Sequence, residues 1–92
     1  MALVAHFDVK NMSSEKYAEV LRRLEKAGAG APAGRLHHTA YGAKEALKVV
    51  DVFDTPQNFE AFGKTLMPIL GALGIDVGQP QITEVHNIIR GS

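Results

Sequence analysis

The side chains that could do chemistry lie close together in the middle of the chain. The stretch RLHHTAYG, residues 35 to 42, contains His37 and His38, and Asp51 lies in the apolar stretch ALKVVDVFD. Neighbouring residues of a strand point to opposite faces of the sheet, so we do not expect the two imidazoles to bind one ion together. A carboxyl group among apolar neighbours is poorly solvated and suits general acid or base catalysis near neutral pH. Asp51 is therefore the first catalytic candidate, and the structural alternative is a salt bridge or hydrogen bond to a neighbouring strand.

Two further histidines, His6 in VAHFD and His86 in EVHNII, fall on the predicted first and last strands. Two histidines and a carboxylate on one sheet face would imitate the facial triad of non-haem iron enzymes, and His38, His86 and Asp51 are the candidates for it. These residues lie on separate strands, and no HxH or HxxxH spacing supports such a site. We therefore expect neither a metal nor another cofactor.

The composition indicates one small domain, residues 1–92, without a nucleic-acid or membrane partner. Ten basic and ten acidic residues cancel, and the one basic cluster, LRRLEK, is interrupted by an acid, which differs from the basic footprint of nucleic-acid-binding proteins. The N-terminal MALVAHFDVK lacks the pattern of a signal peptide, and no apolar run has the length of a membrane span. The chain contains no cysteine, which excludes disulfides and a thiolate nucleophile. We expect a cytoplasmic protein.

The apolar pattern predicts four strands and two helices in the order β-α-β-β-α-β. The strands are predicted at residues 2–9, 35–41, 46–54 and 81–89. This order is typical of the ferredoxin-like α+β fold, in which a four-stranded antiparallel sheet carries both helices on one face.

The helix boundaries carry recognisable signals. The first helix is predicted to begin after an N-cap at Ser13 or Ser14 and to run to about Gly28. The second is predicted to begin with Thr55-Pro56 and to end at Gly74, because threonine is a good N-cap and proline suits the first helical position. Pro68 should kink the second helix or split it near Met67, because its ring removes a backbone hydrogen bond and clashes one turn earlier.

The third predicted strand is apolar on both faces, which predicts that a second copy of the chain covers the open face of the sheet. Leu47, Val49 and Phe53 alternate with Val50 and Val52, whereas a strand wetted on one side would be polar there. The same face of another copy, related by a two-fold axis, is the simplest cover. We therefore expect a homodimer with a cavity between its sheets that holds a small-molecule ligand.

With these stretches identified, the chain resembles the dimeric α+β barrel superfamily, and within it the small antibiotic-biosynthesis-monooxygenase-like domains. The resemblance covers nearly the whole chain and rests on ALKVVDVFD running into TPQNFEAFGKTLMPIL, together with GRLHHTA and EVHNII. It implies a cofactor-independent monooxygenase-like enzyme that acts on an aromatic or apolar substrate in the barrel cavity. It also favours His38 over His37, because small members often carry a histidine at that position. Where the family often has a tryptophan before the second helix, this chain has Phe53.

These considerations define a candidate site. We expect Asp51, His38 and His86 to be catalytic, with His38 facing the cavity between the two sheets and relaying a proton with Asp51. The residues expected to line the substrate pocket are Phe53, Leu66, Val49 and His6. The alternative is a non-catalytic ligand-binding or interaction module, because the chain contains no tryptophan and no compact catalytic signature.

The contact between His38 and Asp51 depends on the register of the hairpin that joins their strands. With a two-residue turn at 43–44, His38 lies opposite Val49 and is a diagonal neighbour of Asp51 on the same face. A turn one residue longer would place His37 there instead.

Overall fold

The computed structural model describes residues 1–89 and 91, and its elements follow the predicted order. The elements are β1 (Leu3–Phe7), α1 (Ser14–Lys26), β2 (Arg35–Ala43), β3 (Ala46–Phe53), α2 (Pro56–Ala72) and β4 (Gln81–Glu84). The strands form one antiparallel sheet in the order β2-β3-β1-β4. This is the ferredoxin-like α+β topology, so the predicted fold class is confirmed.

Both helices begin at the residues that the sequence indicates. The Ser13 hydroxyl accepts a hydrogen bond from the backbone N–H of Lys16 at 3.2 Å, and the Thr55 hydroxyl accepts one from Asn58 at 3.1 Å. Each bond satisfies one of the backbone donors that the first turn of a helix leaves unpaired. In the described part of the chain, neither helix combines the length and the apolarity that crossing a bilayer requires.

Helix α2 continues through Pro68, so the prediction that this proline splits the helix is wrong. A proline removes the hydrogen bond to the carbonyl one turn earlier, here that of Lys64. Both residues are exposed, so water can reach this side of the helix and hydrogen-bond the freed carbonyl. The helix can therefore continue past Pro68, and it packs Phe62, Leu66 and Leu70 into the core or against it.

The core lies between the helices and one face of the sheet. In β1, the buried residues Leu3, Ala5 and Phe7 alternate with half-buried ones, as expected for a strand with one covered face. Phe53 at the end of β3 is 0 % exposed. The opposite face of the sheet carries Val50, which is half-buried in the single chain.

The turn of the β2–β3 hairpin lies one residue later than predicted, which shifts the cross-strand pairing by two residues. Ala43 pairs with Ala46, so the turn is at residues 44–45, and His38 lies directly opposite Asp51. The predicted diagonal arrangement is therefore wrong. Because the shift is an even number of residues, His38 nevertheless stays on the same face as Asp51.

Long-range backbone hydrogen bonds hold the end of this hairpin. The N–H of Leu47 donates to the carbonyl of Met12 at 2.7 Å, and the N–H of Ser14 donates to the carbonyl of Lys44 at 2.6 Å. Met12, in the segment before α1, and Ser14, the first residue of α1, thus hold the two sides of the turn. These partners are distant in sequence, so the hairpin sequence alone does not reveal the register.

Strand β4 is shorter than predicted, since it ends at Glu84 rather than at residue 89. The N–H of Val85 still donates to the carbonyl of Ala2 at 3.0 Å. The residues that follow leave the sheet ladder, and His86 is therefore not on the last strand.

Candidate functional site

His38 and Asp51 form a hydrogen-bonded pair on the face of the sheet that the helices cover. The two residues lie opposite each other in the β2–β3 register, and Ala5 of β1 lies on the other side of Asp51. Nδ1 of His38 is in hydrogen-bond contact with Oδ1 of Asp51. Because an alanine methyl cannot bond the carboxyl, the imidazole is its cross-strand partner. Asp51 is only 2 % exposed, and a buried carboxylate needs such a hydrogen-bonded partner.

Tyr17 of α1 extends this pair to a chain of three polar groups. Its hydroxyl lies 2.7 Å from Nε2 of His38, and the two rings are parallel to within 4° with their centroids 6.0 Å apart. A neutral imidazole has one N–H donor and one acceptor nitrogen. With the Asp51 carboxylate accepting from Nδ1–H, the acceptor nitrogen is Nε2 and the Tyr17 hydroxyl donates to it. We call these residues the Tyr17–His38–Asp51 relay.

The hydroxyl of Tyr17 is held in its protonated form. Burial raises the pKa of Tyr17 above its ordinary value; the Arg35 guanidinium opposes this shift, and the Asp51 carboxylate adds to it. A phenol with a raised pKa keeps its proton at neutral pH. Tyr17 is therefore a hydrogen-bond donor to His38 under ordinary conditions.

The relay lines a small cavity between the helices and the sheet. The volume of the cavity is about 50 Å³, well below the roughly 150 Å³ of an engineered apolar cavity that binds benzene. Apart from the relay and Arg35, the lining is apolar and includes Val20, Phe62 and Leu70. A ligand the size of an aromatic ring therefore enters this space only if a lining side chain moves.

This position of the site corrects one prediction. From the sequence, His38 is expected to face a cavity between two sheets, whereas in the structure it faces the helices of its own chain. His37 is exposed, and its Nε2 lies 2.7 Å from the hydroxyl of Thr39. Strand alternation determines that adjacent residues point to opposite faces, but the packing of α1 and α2 decides which face becomes the interior.

The predicted pocket residues separate into two groups. Val49 and Leu66 line the cavity beside the relay. Phe53 instead packs within the core, with its ring centroid 5.4 Å from that of Phe59 and 5.6 Å from that of Phe62. Its role is to support the cavity wall, because Phe62 is itself a lining residue.

His6 and His86 lie apart from the His38–Asp51 pair. His6 is opposite Val50 in the β1–β3 register, on the open face, and its Nε2 is in hydrogen-bond contact with the hydroxyl of Tyr41. His86 lies beyond the end of β4 and is exposed. Among residues 1–89 and 91, no three histidine, aspartate or glutamate side chains are grouped to hold a metal ion.

Two polar residues of the cavity, Tyr17 and Arg35, are not among the predicted site residues. The helical spacing of Tyr17 indicates a core position. A buried phenol generally needs a hydrogen-bond partner, and this need is the sequence signal that points towards the histidines on the strands. Arg35 begins β2; its guanidinium donates to the Gly30 carbonyl at 3.2 Å, and its Cζ lies 5.7 Å from the centroid of the Phe62 ring. A cation at the start of a strand carries no sequence signal that assigns it to a cavity.

Comparisons with known proteins show similarity of fold at low sequence identity. No family model matches the sequence, and no curated protein matches it. SnoaB, a cofactor-independent oxygenase from Streptomyces nogalater, is 14% identical with a TM-score of 0.62, over 98% of this chain and 96% of that chain. A protein from Chloroflexus aurantiacus proposed to be an antibiotic biosynthesis monooxygenase is 15% identical with a TM-score of 0.59, over 98% of this chain and 97% of that chain.

A third structure extends the similarity to another bacterium. A Caulobacter crescentus protein, also proposed to be an antibiotic biosynthesis monooxygenase, is 16% identical with a TM-score of 0.57, over 96% of this chain and 89% of that chain. In all three comparisons the aligned region spans most of both chains. The chain therefore has the ferredoxin-like α+β fold of antibiotic-biosynthesis-monooxygenase-like proteins, as the resemblance in its sequence implied.

Proposed function

We propose that this chain is a cofactor-independent, monooxygenase-like enzyme that binds a small aromatic or apolar molecule beside His38. The observation that carries the proposal is the contact of the half-buried His38 imidazole with the buried Asp51 carboxyl at the wall of an apolar cavity. A histidine oriented by a carboxylate is a suitable general base, because the carboxylate holds the ring in one tautomer and stabilises the imidazolium that forms. The fold shared with SnoaB supports the same class of chemistry.

In this proposal, His38 takes a proton from the substrate through Nε2. Asp51 accepts the hydrogen bond from Nδ1 and compensates the positive charge that the imidazole acquires. The substrate must reach Nε2, which the Tyr17 hydroxyl occupies at 2.7 Å, so the hydroxyl of Tyr17 moves away when the substrate binds. Tyr17 then remains nearby as a protonated phenol that can return a proton.

The oxygen step needs no reductant beyond the substrate. Removal of a proton from an acidic O–H or activated C–H leaves an electron-rich anion, and dioxygen adds to its carbon to form a peroxide. After the peroxide takes a proton, the same carbon loses its remaining hydrogen while the O–O bond breaks and water leaves. The substrate loses two hydrogen atoms and gains one oxygen atom, and the second oxygen atom leaves as water. The apolar lining excludes other proton donors from the anion.

Oxygen uptake with a panel of single-ring phenols and enols tests this function, using wild type, His38→Ala and Asp51→Asn. We expect each variant to reduce turnover by roughly 10²- to 10⁴-fold, which is the usual contribution of a general base. His37→Ala is the matched control, because His37 is the next residue and points to the other face. Unchanged turnover in both His38→Ala and Asp51→Asn would exclude this mechanism.

We further propose that the active form is a homodimer joined through the open faces of the two sheets. Val50 lies on that face, and Leu36, which lines a groove there with Val4 and Val52, is exposed in the single chain. Exposed apolar surface of this kind is typical of an interface between subunits. The fold shared with SnoaB is compatible with this arrangement.

The small volume of the cavity favours a second candidate function, a non-catalytic ligand-binding or interaction module. A space of about 50 Å³ holds little more than a few water molecules, and the relay then satisfies the buried carboxyl of Asp51. The oxygen-uptake experiment separates the two functions. Ligand binding without oxygen consumption by any member of the panel would favour the non-catalytic module.

A further inference from the structure

Arg35 places a positive charge at the wall of the apolar cavity. Its guanidinium is half-buried and makes one side-chain hydrogen bond within the described residues, to the carbonyl of Gly30. The ion pairs found among residues 1–89 and 91 involve other side chains, so no carboxylate in that part of the chain lies within 4.0 Å of this guanidinium. The charge of Arg35 is therefore available to a ligand.

The orientation of Arg35 is set before any ligand binds. The Gly30 carbonyl holds Nη2, and the face of the Phe62 ring lies against the guanidinium. An irregularity in the β2–β3 pairing just after Arg35 places it opposite Phe53. A guanidinium has five N–H donors, and no side-chain nitrogen in the described residues is both buried and unpaired. The remaining N–H donors of Arg35 are therefore accessible to solvent or to a ligand at the cavity.

The field of Arg35 reaches the relay. The guanidinium lowers the pKa of Tyr17 against the larger effect of burial, so the positive charge acts on the position where the Tyr17 hydroxyl meets His38. Tyr17 also indicates the size of a ligand, because its phenol occupies the acceptor nitrogen of His38. A ligand that replaces this phenol presents one ring and one hydroxyl.

We propose that the cavity binds a single-ring hydroxy-carboxylate anion, with its hydroxyl on Nε2 of His38 and its carboxylate on Arg35. This proposal deepens the proposed function and rests on it for the position of the hydroxyl. The planar guanidinium binds a carboxylate through two parallel hydrogen bonds. The apolar lining contacts the ring, and Tyr17 rotates away from His38 to admit it. The positive charge also stabilises the second negative charge that forms when His38 removes the proton from the hydroxyl.

Binding of 3-hydroxybenzoate and of its neutral analogue 3-hydroxybenzamide tests the proposal by calorimetry without oxygen. We expect wild type to bind the acid roughly 10- to 100-fold more tightly than the amide, as a charge-assisted hydrogen-bonded pair predicts. Arg35→Met keeps an unbranched side-chain stem at this position but removes the charge, and it should abolish the preference. Arg23→Met is the matched control and should retain the preference, because Arg23 is a half-buried arginine that pairs with Glu19 on α1 and does not line the cavity.

Other results would overturn the proposal. Equal affinities in wild type, absence of binding by the acid, or a preference that survives in Arg35→Met each contradict it. If Arg35→Met does not fold, Arg35→Lys provides the measurement, because it keeps the charge but not the two parallel donors. A preference in Arg35→Lys as large as in wild type would contradict two-point binding of the carboxylate.

The binding measurement is independent of turnover. Preference for the acid that persists in His38→Ala, combined with no oxygen uptake by wild type, would retain the anion site and exclude the monooxygenase function. Oxygen uptake with neutral phenols, combined with equal affinity for acid and amide, would retain the function and exclude the anion site.

Discussion

His38 on β2 and Asp51 on β3 lie directly opposite each other, with the imidazole Nδ1 against the carboxyl Oδ1, on the face of the sheet that the helices cover. This position makes the relay part of the interior of a single chain. A partner subunit is therefore not needed to bring the two groups together. It also couples the proposed chemistry to α1, because Tyr17 on that helix bonds the other nitrogen of the imidazole.

The raised pKa of Tyr17 predicts a loss of stability at alkaline pH. Above the ordinary value of 10.0, the unfolded chain releases the phenolic proton while the folded chain still holds it. The free energy of unfolding therefore decreases as the pH rises through the interval between the two pKa values. Tyr17→Phe should remove this part of the decrease, measured by urea unfolding between about pH 8 and about pH 11.

Tyr41→Phe is the control for this experiment, because it removes a tyrosine of the open face and leaves the relay intact. It should retain the alkaline decrease. If the free energy of unfolding decreases equally in wild type and in Tyr17→Phe between these pH values, burial does not raise the pKa of Tyr17 in the folded chain.

Gly34 determines how the chain enters β2 and therefore where Arg35 lies. Its φ is 83°, and an added Cβ would lie 2.8 Å from Cβ of Asn58. Gly34→Ala should lower the free energy of unfolding by at least roughly 1–2 kcal/mol, the cost of a left-handed backbone in a residue with a Cβ. Gly63→Ala, in α2 with nothing within 4 Å of the new methyl, should instead raise it by about 0.5–1 kcal/mol. Urea unfolding measures both, and a Gly34→Ala variant as stable as wild type would contradict this role.

Leu66 limits the volume of the cavity. Leu66→Ala should lower the free energy of unfolding by about 2 kcal/mol, at the low end of the usual range because the residue is only half-buried. The space that it leaves should allow phenol to bind more tightly than to wild type, measured by calorimetry. Leu47→Ala is the matched control: Leu47 is also half-buried and packs against the core, but it does not line the cavity. Equal phenol affinity in the two variants would show that Leu66 does not limit the site.

The open face of the sheet predicts a homodimer that a single charge can disrupt. Val50→Lys places an ammonium group at the centre of the proposed interface, where two-fold symmetry brings two like charges near each other. We expect a dimeric mass for wild type and a monomeric mass for Val50→Lys by light scattering after size-exclusion chromatography. Glu25→Lys, an exposed change on α1, should remain dimeric. A monomeric wild type at about 100 μM would argue against this interface, because a stable dimer of this size associates well below that concentration.

Much of the fold can be predicted from the sequence because its signals are local. The N-caps Ser13 and Thr55 act on N–H groups three residues away, and strand alternation depends on the backbone of the strand itself. Such signals predict the order of the elements, the fold class and the fact that His37 and His38 point to opposite faces. The alternation also places His38 and Asp51 on a common face, which the even shift of the hairpin register preserved.

The tertiary structure alone decided which face became the interior and which groups met there. The exact pairing of His38 with Asp51 depends on the backbone of Met12, Ser14 and their hairpin partners, far away in the sequence. Tyr17 meets His38 only because α1 packs on the face of the sheet to which His38 points. Arg35 follows Gly34, whose positive φ directs the chain into β2. These contacts depend on packing between separate elements, and residues throughout the core contribute to the free energy of that packing. No single stretch of the sequence is therefore sufficient to predict these contacts.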